Sequence, residues 1–230
     1  MLGIIGAMDE EVSRLKELMS DVEIKSKASM DFYKGMLSGK PVVVVRSGIG
    51  KVNAGICTQI LVDEYGVDAV INTGIAGSLN ADIDIGDIVL STDTLQHDMD
   101  ATGFGYEPGV IPRMEKSVFV ADERLRGIAK TCCERVNPEI NVFEGRVVSG
   151  DQFISDKDRK NYIQKNFAGF CTEMEGAAIA QAAYLNNIPY LVIRAISDKA
   201  DDSATEDYPV FEAKAIEHSV RLVRAMVEEL

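Results

Sequence analysis

Short apolar runs alternate along the chain with segments whose apolar residues recur at helical spacing. Leu2 to Ile5 reads as a strand, and Val12, Leu15, Leu18 and Met19 form a helical stripe behind it. Val42 to Val45 is unbroken valine, the pattern of a strand buried on both faces. It passes through Arg46-Ser47-Gly48-Ile49-Gly50-Lys51 into a helix reaching about Tyr65. Val67 to Asn72 is a strand that ends in the turn Thr73 to Ser78, and Ile83 to Leu90 is a strand with Gly86 at a bulge. Helices follow around Asp122 to Val136, Asp156 to Asn166 and Gly176 to Leu185, between strands at Val142 to Ser149, Phe170 to Thr172 and Tyr190 to Ser197. Val210, Ala213, Ile216, Val220, Val223 and Val227 mark one face of a closing helix. This alternation predicts an α/β fold with a mostly parallel or mixed sheet between helices. No repeat, low-complexity segment or linker interrupts it, so residues 1–230 read as one domain. The only long irregular stretch is Thr92 to Met114, rich in Gly, Pro and Asp, and a loop of that length is usually functional or part of an interface.

Composition narrows the partners. Hydrophobic residues make up 46% and charged residues 27%, as in ordinary globular proteins. The net charge of −13 repels nucleic acid and anionic lipid, but not a small neutral or zwitterionic ligand in a shaped pocket. No apolar run is long enough to span a bilayer, and Leu2 to Met8 runs straight into Asp9-Glu10-Glu11, so we expect a cytoplasmic protein. Cys57, Cys132, Cys133 and Cys171 lack C-x-x-C spacing and read as buried or half-buried free thiols in a reducing compartment. His97-Asp98-Met99-Asp100, with a single histidine and no second cluster, is a poor metal site.

The polar residues fall in informative places. Glu11, the Ser47-Gly48 and Thr73-Gly74 turns, Asp151, Glu175 and Asp198 all follow the C-terminal end of a predicted strand. Open α/β sheets bind ligands outside that edge, so these segments should converge on one crevice. Each carboxylate taken alone could equally cap a helix. Gly48-Ile49-Gly50 and Gly74-Ile75-Ala76-Gly77 loosely suggest nucleotide-binding loops, but they make neither G-x-G-x-x-G after the first strand nor a P-loop.

Six segments carry a closer resemblance. They are Gly3-Ile4-Ile5-Gly6-Ala7-Met8-Asp9-Glu10-Glu11-Val12, Ser47-Gly48-Ile49-Gly50-Lys51-Val52, Asn72-Thr73-Gly74, Ser149-Gly150-Asp151-Gln152-Phe153-Ile154, Glu173-Met174-Glu175-Gly176-Ala177-Ala178 and Arg194-Ala195-Ile196-Ser197-Asp198. In order and spacing the chain resembles the bacterial 5′-methylthioadenosine/S-adenosylhomocysteine nucleosidases, of the purine nucleoside phosphorylase fold family. The resemblance implies a three-layer α/β/α sandwich with a mixed central sheet. It also implies a homodimer that hydrolyses adenine from thioether nucleosides without metal or organic cofactor. By motif position Glu11 resembles the carboxylate that activates water, and Asp198 the acid that protonates the purine at N7. Glu175 resembles the ligand of the ribose hydroxyls, with Met174 against the sugar, Phe153 stacked on adenine and the backbone of Ile154 at the purine edge, and Gly77 is expected among the substrate-binding residues. Ser197 and Arg194 are expected to support Asp198 and the water, and Met8, Ile49 and Tyr208 to line the ribose and alkylthio region. Ala101, Phe104, Tyr106 and Pro112 resemble the loop by which a neighbouring subunit closes the sulfur-substituent pocket.

The chemistry suits these roles. Cleavage develops positive charge on ribose and negative charge on the base, so an acid at N7 and a carboxylate on the water side share the work. A carboxylate at the ribose hydroxyls can accept two hydrogen bonds, and Phe153 offers a flat apolar face. The chain departs from familiar members at Ile75, where serine is common, at Tyr208, where phenylalanine is, and at Ala101 and Pro108 in the partner-facing loop. The rivals are a phosphorylase, which the acidic turn at Asp9 to Glu11 disfavours because it repels a dianion, an aminodeoxyfutalosine nucleosidase, and a binder that has lost its chemistry.

Overall fold

The computed structural model describes residues 1–230, apart from the side chains of Glu206 and Pro209. Ten strands and six α-helices alternate in the order β1 (Leu2–Gly6), α1 (Asp9–Glu17), β2 (Ser20–Lys27), β3 (Met30–Leu37), β4 (Lys40–Arg46), α2 (Lys51–Tyr65), β5 (Ala69–Ser78), β6 (Ile88–Gln96), β7 (Phe119–Val120), α3 (Glu123–Val136), β8 (Val142–Ser149), α4 (Lys157–Phe167), β9 (Cys171–Glu173), α5 (Gly176–Leu185), β10 (Tyr190–Asp198) and α6 (Ala204–Glu229). The sheet runs β10-β6-β8-β9-β5-β1-β4-β3-β2, and β10 also pairs with β5, so one end of the sheet closes on itself. Parallel and antiparallel pairs both occur, as in β1 with β4 and β10 with β6. This is the α/β sandwich with a mixed central sheet.

The valine run shows how the layers form. Val42 and Val44 point into the core cluster shared with α1, α3 and α6, while Val43 and Val45 point into the cluster shared with α2. Strand side chains alternate faces, so an all-apolar strand is buried twice. A third cluster of Leu95, Val148, Ile163 and Phe167 seats α4.

Four expectations need correction. β5 continues through Thr73–Ser78 instead of stopping at Asn72, because β10 and β9 pair with it there. The strand expected from Ile83 begins at Ile88, and Gly86 lies in the turn before it (φ 96°), donating its N–H to the carbonyl of Ile196. Thr92 to Gln96 is therefore strand, and the irregular segment starts at His97. Val210 and Ala213 are exposed on α6; only from Ile216 onward does that face enter the core. In the hairpin β2–β3 the outer strand alternates Val22 and Ile24 with charged residues, yet all of its residues are exposed. Lysines on that edge strand are a usual guard against edge-to-edge pairing.

Candidate active site

β1, β5 and β10 lie side by side and parallel, so their C-terminal ends open on the same side. A cavity of about 580 Å³ sits there. Its lining includes Met8, Glu11, Ile49, Gly77, Phe153, Ile154, Met174, Glu175, Ser197, Asp198 and Tyr208. Every expected substrate-binding residue is among them except Arg194, which lies beneath the floor.

Glu11 occupies the first turn of α1 and folds back. Its Oε2 accepts from the N–H groups of Ala7 (2.7 Å) and Met8 (3.1 Å), and its Oε1 from that of Ile75 (3.1 Å). It thus caps the helix and lines the cavity at once. Burial pushes its carboxyl above the usual range, and Arg194 with the three backbone donors pulls it back only in part. Asp9 and Glu10 of the same turn are exposed.

Asp198 ends β10. Its Oδ1 accepts from Ala200 N (2.8 Å) and its Oδ2 from Ser197 Oγ (2.9 Å). Burial raises its pKa against those two hydrogen bonds, helped by Asp207 and Asp201. The β10–β5 register shifts between Ile196 and Asp198, a bulge of the kind that re-aims a side chain beside a site. Ser197 donates to Asp198, whereas the hydrogen bonds of Arg194 run to Glu173, Asn72 and the carbonyl of Ile193.

Arg194 instead serves the carboxylates. It is buried in mid-strand, pairs with Glu173 through Nε and Nη2, donates to Asn72 Oδ1 (2.5 Å), and lies 4.0 Å from Glu175 Oε2. Burial alone would lower its pKa, yet Glu173, Glu11 and Glu175 together outweigh it and raise it. Glu173 is the residue that sequence reasoning left without a role. It also accepts from Ser149 Oγ and from the N–H groups of Glu175 and Gly176, so it holds the start of α5. An arginine inside an apolar strand requires a buried counter-charge, and that signal points to Glu173. With three buried carboxyls facing one guanidinium, burial and Glu173 push the Glu175 carboxyl well up.

Glu175 is aimed by Gly50. At φ 98° Gly50 adopts a backbone conformation that favours glycine, and its N–H reaches Glu175 Oε1 at 2.8 Å. Asp151 faces elsewhere: it is exposed and its Oδ1 accepts from Lys51 N at the start of α2 (2.9 Å). It is a helix cap. Lys51 Nζ in turn binds Gln96 (2.9 Å) and Asp98 (2.6 Å), tying the root of the 97–118 loop to the cavity rim.

Gly74 and Gly77 stand opposite Arg194 and Asp198 in the β5–β10 register. A Cβ on Gly74 would lie 2.9 Å from Glu11 Cδ, and one on Gly77 2.6 Å from Asp198 Oδ1. These glycines let the carboxylates cross the strand.

Phe153 is half exposed at the rim, 6.1 Å from the Tyr208 ring and edge-on to it. Ala101 and Pro112 are buried and half-buried, whereas Phe104 is 86% and Tyr106 37% exposed; none of the four lines this chain's own cavity. Among the described residues, no group of three or more His, Cys, Asp or Glu is placed to hold a metal ion.

The phosphorylase superfamily model matches residues 1–228. A 5′-methylthioadenosine/S-adenosylhomocysteine nucleosidase of Anoxybacillus flavithermus is 42% identical over all of this chain and 98% of its own. The crystal structure of the Neisseria meningitidis enzyme of that name, in complex with methylthio-immucillin-A, has a TM-score of 0.95 at 38% identity, covering 100% of this chain and 99% of that one. A futalosine hydrolase of Helicobacter pylori has a TM-score of 0.94 at 34% identity, covering 100% and 97%. Carboxylates gathered at the strand ends and full-length identity lead to the same place: the chain belongs to the phosphorylase superfamily and, within it, to the 5′-methylthioadenosine/S-adenosylhomocysteine nucleosidases.

Proposed function

We propose that this enzyme hydrolyses the N-glycosidic bond of 5′-methylthioadenosine and S-adenosylhomocysteine, releasing adenine and the thioribose derivative for methionine salvage. The observation that carries the chemistry is the pair of buried carboxyls, Glu11 and Asp198, in one cavity with raised pKa values. Burial keeps a proton on Asp198 closer to neutral pH, where it can be given to N7 as the base departs. Glu11 accepts a proton from the attacking water and favours the cationic sugar. Glu175 binds the ribose hydroxyls, and Met174, Phe153 and Tyr208 give the nucleoside its apolar walls. Gly77 and Ile154 lie at the purine end, and Met8 and Ile49 at the sugar. Arg194 acts indirectly, by holding Glu173 and with it the start of α5.

No lysine or arginine lines the cavity among the described residues, which favours water over phosphate as the nucleophile. Adenine release in phosphate-free buffer tests this. Free thioribose is the expected product; a strict phosphate requirement, with a ribose-1-phosphate product, would refute it.

The 230 residues act as one domain on this proposal, and the enzyme works as a homodimer. Exposed Phe104 and Tyr106, away from their own cavity, support a role in the pocket of a second copy. No described helix is long and apolar enough to cross a membrane. All four cysteines are buried free thiols, which supports a reducing, cytoplasmic setting.

A further inference from the structure

The wall of the cavity formed by α6 differs from the rest. Tyr208 stands where its ring meets Phe153 edge-on and its hydroxyl lies 3.5 Å from Met8 Sδ. That hydroxyl donates to Glu212 Oε1, one helical turn on, at 2.8 Å. The apolar wall therefore carries a phenol tied to a half-buried carboxylate. Burial, then Glu212, Glu11 and Glu10, push the phenol's pKa upward, so several negative charges act on this one spot. Lys16 and Arg46 sit 3.8 and 3.5 Å from Asp9, and Lys160 lies 3.3 Å from Asp201. None of them lines the cavity.

We propose that the Tyr208–Glu212 pair sorts substrates by the charge at the end of the 5′ substituent, admitting neutral and ammonium-bearing tails and disfavouring tails that end in a carboxylate. This rests on the hydrolase function proposed above, with the 5′ substituent leaving the sugar past Met8 and Tyr208. Glu212 stands behind Tyr208 and outside the lining, so its charge acts on a carboxylate tail through that partly desolvated wall, where like charges repel more strongly than in water. An ammonium is attracted there, so a zwitterionic tail can turn its cationic end toward the wall. The phenol supplies a hydrogen-bonding group to such a tail that phenylalanine lacks.

The test uses adenosine 5′-thioethers of equal tail length ending in methyl, ammonium or carboxylate. Adenine release gives kcat/KM for each with the parent enzyme, Glu212→Gln and Tyr208→Phe. In the parent the carboxylate analogue should fall about tenfold or more below the methyl analogue at low salt, and the gap should narrow as salt screens it. Glu212→Gln keeps an acceptor for the phenol, so it removes charge with little change of shape, and the gap between the two analogues should collapse. Tyr208→Phe should reduce the preference for the ammonium tail. Equal rates for the methyl and carboxylate analogues in the parent would overturn the proposal, as would a gap unchanged in Glu212→Gln. If no analogue released adenine, the hydrolase function itself would fail. The same charge ranking would then be read from equilibrium dissociation constants, with the same two outcomes deciding it.

Discussion

Asp198→Asn separates chemistry from architecture. Asn can keep both hydrogen bonds of the site: its carbonyl oxygen accepts from Ala200 N, and its amide donates to Ser197 Oγ, which is free to turn toward Ala76 O. Shape and packing are unchanged, so the fold should lose less than about 1 kcal/mol. What Asn cannot do is deliver a proton to N7. Turnover should fall about 10²–10⁴-fold, or about 3–5 kcal/mol of transition-state stabilisation. The carboxyl's pKa is raised in the folded state, so the folded protein holds that proton more tightly than the unfolded chain. Its contribution to stability is full below the unfolded value and is lost as pH rises through the folded value. The Asn variant does not titrate, so its thermal midpoint should gain on the parent as pH rises through that window. The assay is turnover by adenine release, with thermal midpoints at mildly acidic and at alkaline pH. Near-parental turnover would refute the acid role. A midpoint advantage that shrank with rising pH would refute the raised pKa.

Other perturbations reach other parts of the site. Arg194→Met leaves Glu11, Glu173 and Glu175 buried without their cation, and chemical denaturation should show a loss of about 3–5 kcal/mol; a loss below about 1 kcal/mol would mean the carboxyls simply take up protons. Gly74→Ala pushes a methyl onto the Glu11 carboxyl, so kcat should drop about 100-fold while stability falls by only about 1–3 kcal/mol; parental kcat would show that Glu11 need not sit where it does. Phe104→Ala removes a side chain exposed in the isolated chain, so stability should change by less than about 0.5 kcal/mol. KM should nevertheless rise about tenfold if the ring closes a second copy's pocket; an unchanged KM would remove it from that role.

Most of the site was legible because its residues sit at strand ends, and strand ends are written in the change from apolar run to glycine turn. Glu11, Glu175 and Asp198 could be placed in one crevice from that pattern alone. Asp151 obeys the same pattern and is only a cap, because position relative to a strand does not say which way a carboxylate turns. The glycines of β5 were the hardest to interpret. They look like a turn, but sheet pairing on both sides overrides local propensity, and the missing side chains make room for Glu11 and Asp198. The β2–β3 hairpin was illegible for another reason: its outer strand buries nothing, and its alternation of Val22 and Ile24 with charged residues is too short to mark a strand. Glu173 escaped notice because its partner lies across the sheet on β10, a contact that spacing along the chain does not display.

The pairing of Gly74 with Arg194 and of Gly77 with Asp198 gives β5 a further consequence. The two glycines are three residues apart on one strand, a span of about 10 Å. Glu11 packs against Gly74 and Asp198 against Gly77, so both reacting groups rest on a strand held within the sheet, away from the rim loops. Phe153 and Tyr208, by contrast, come from a loop and from the overhanging start of α6. Mutations that reshape the rim can change which tail is welcomed without disturbing the groups that cleave the bond. A scaffold divided in this way lets substrate range drift between lineages while the reaction is inherited intact.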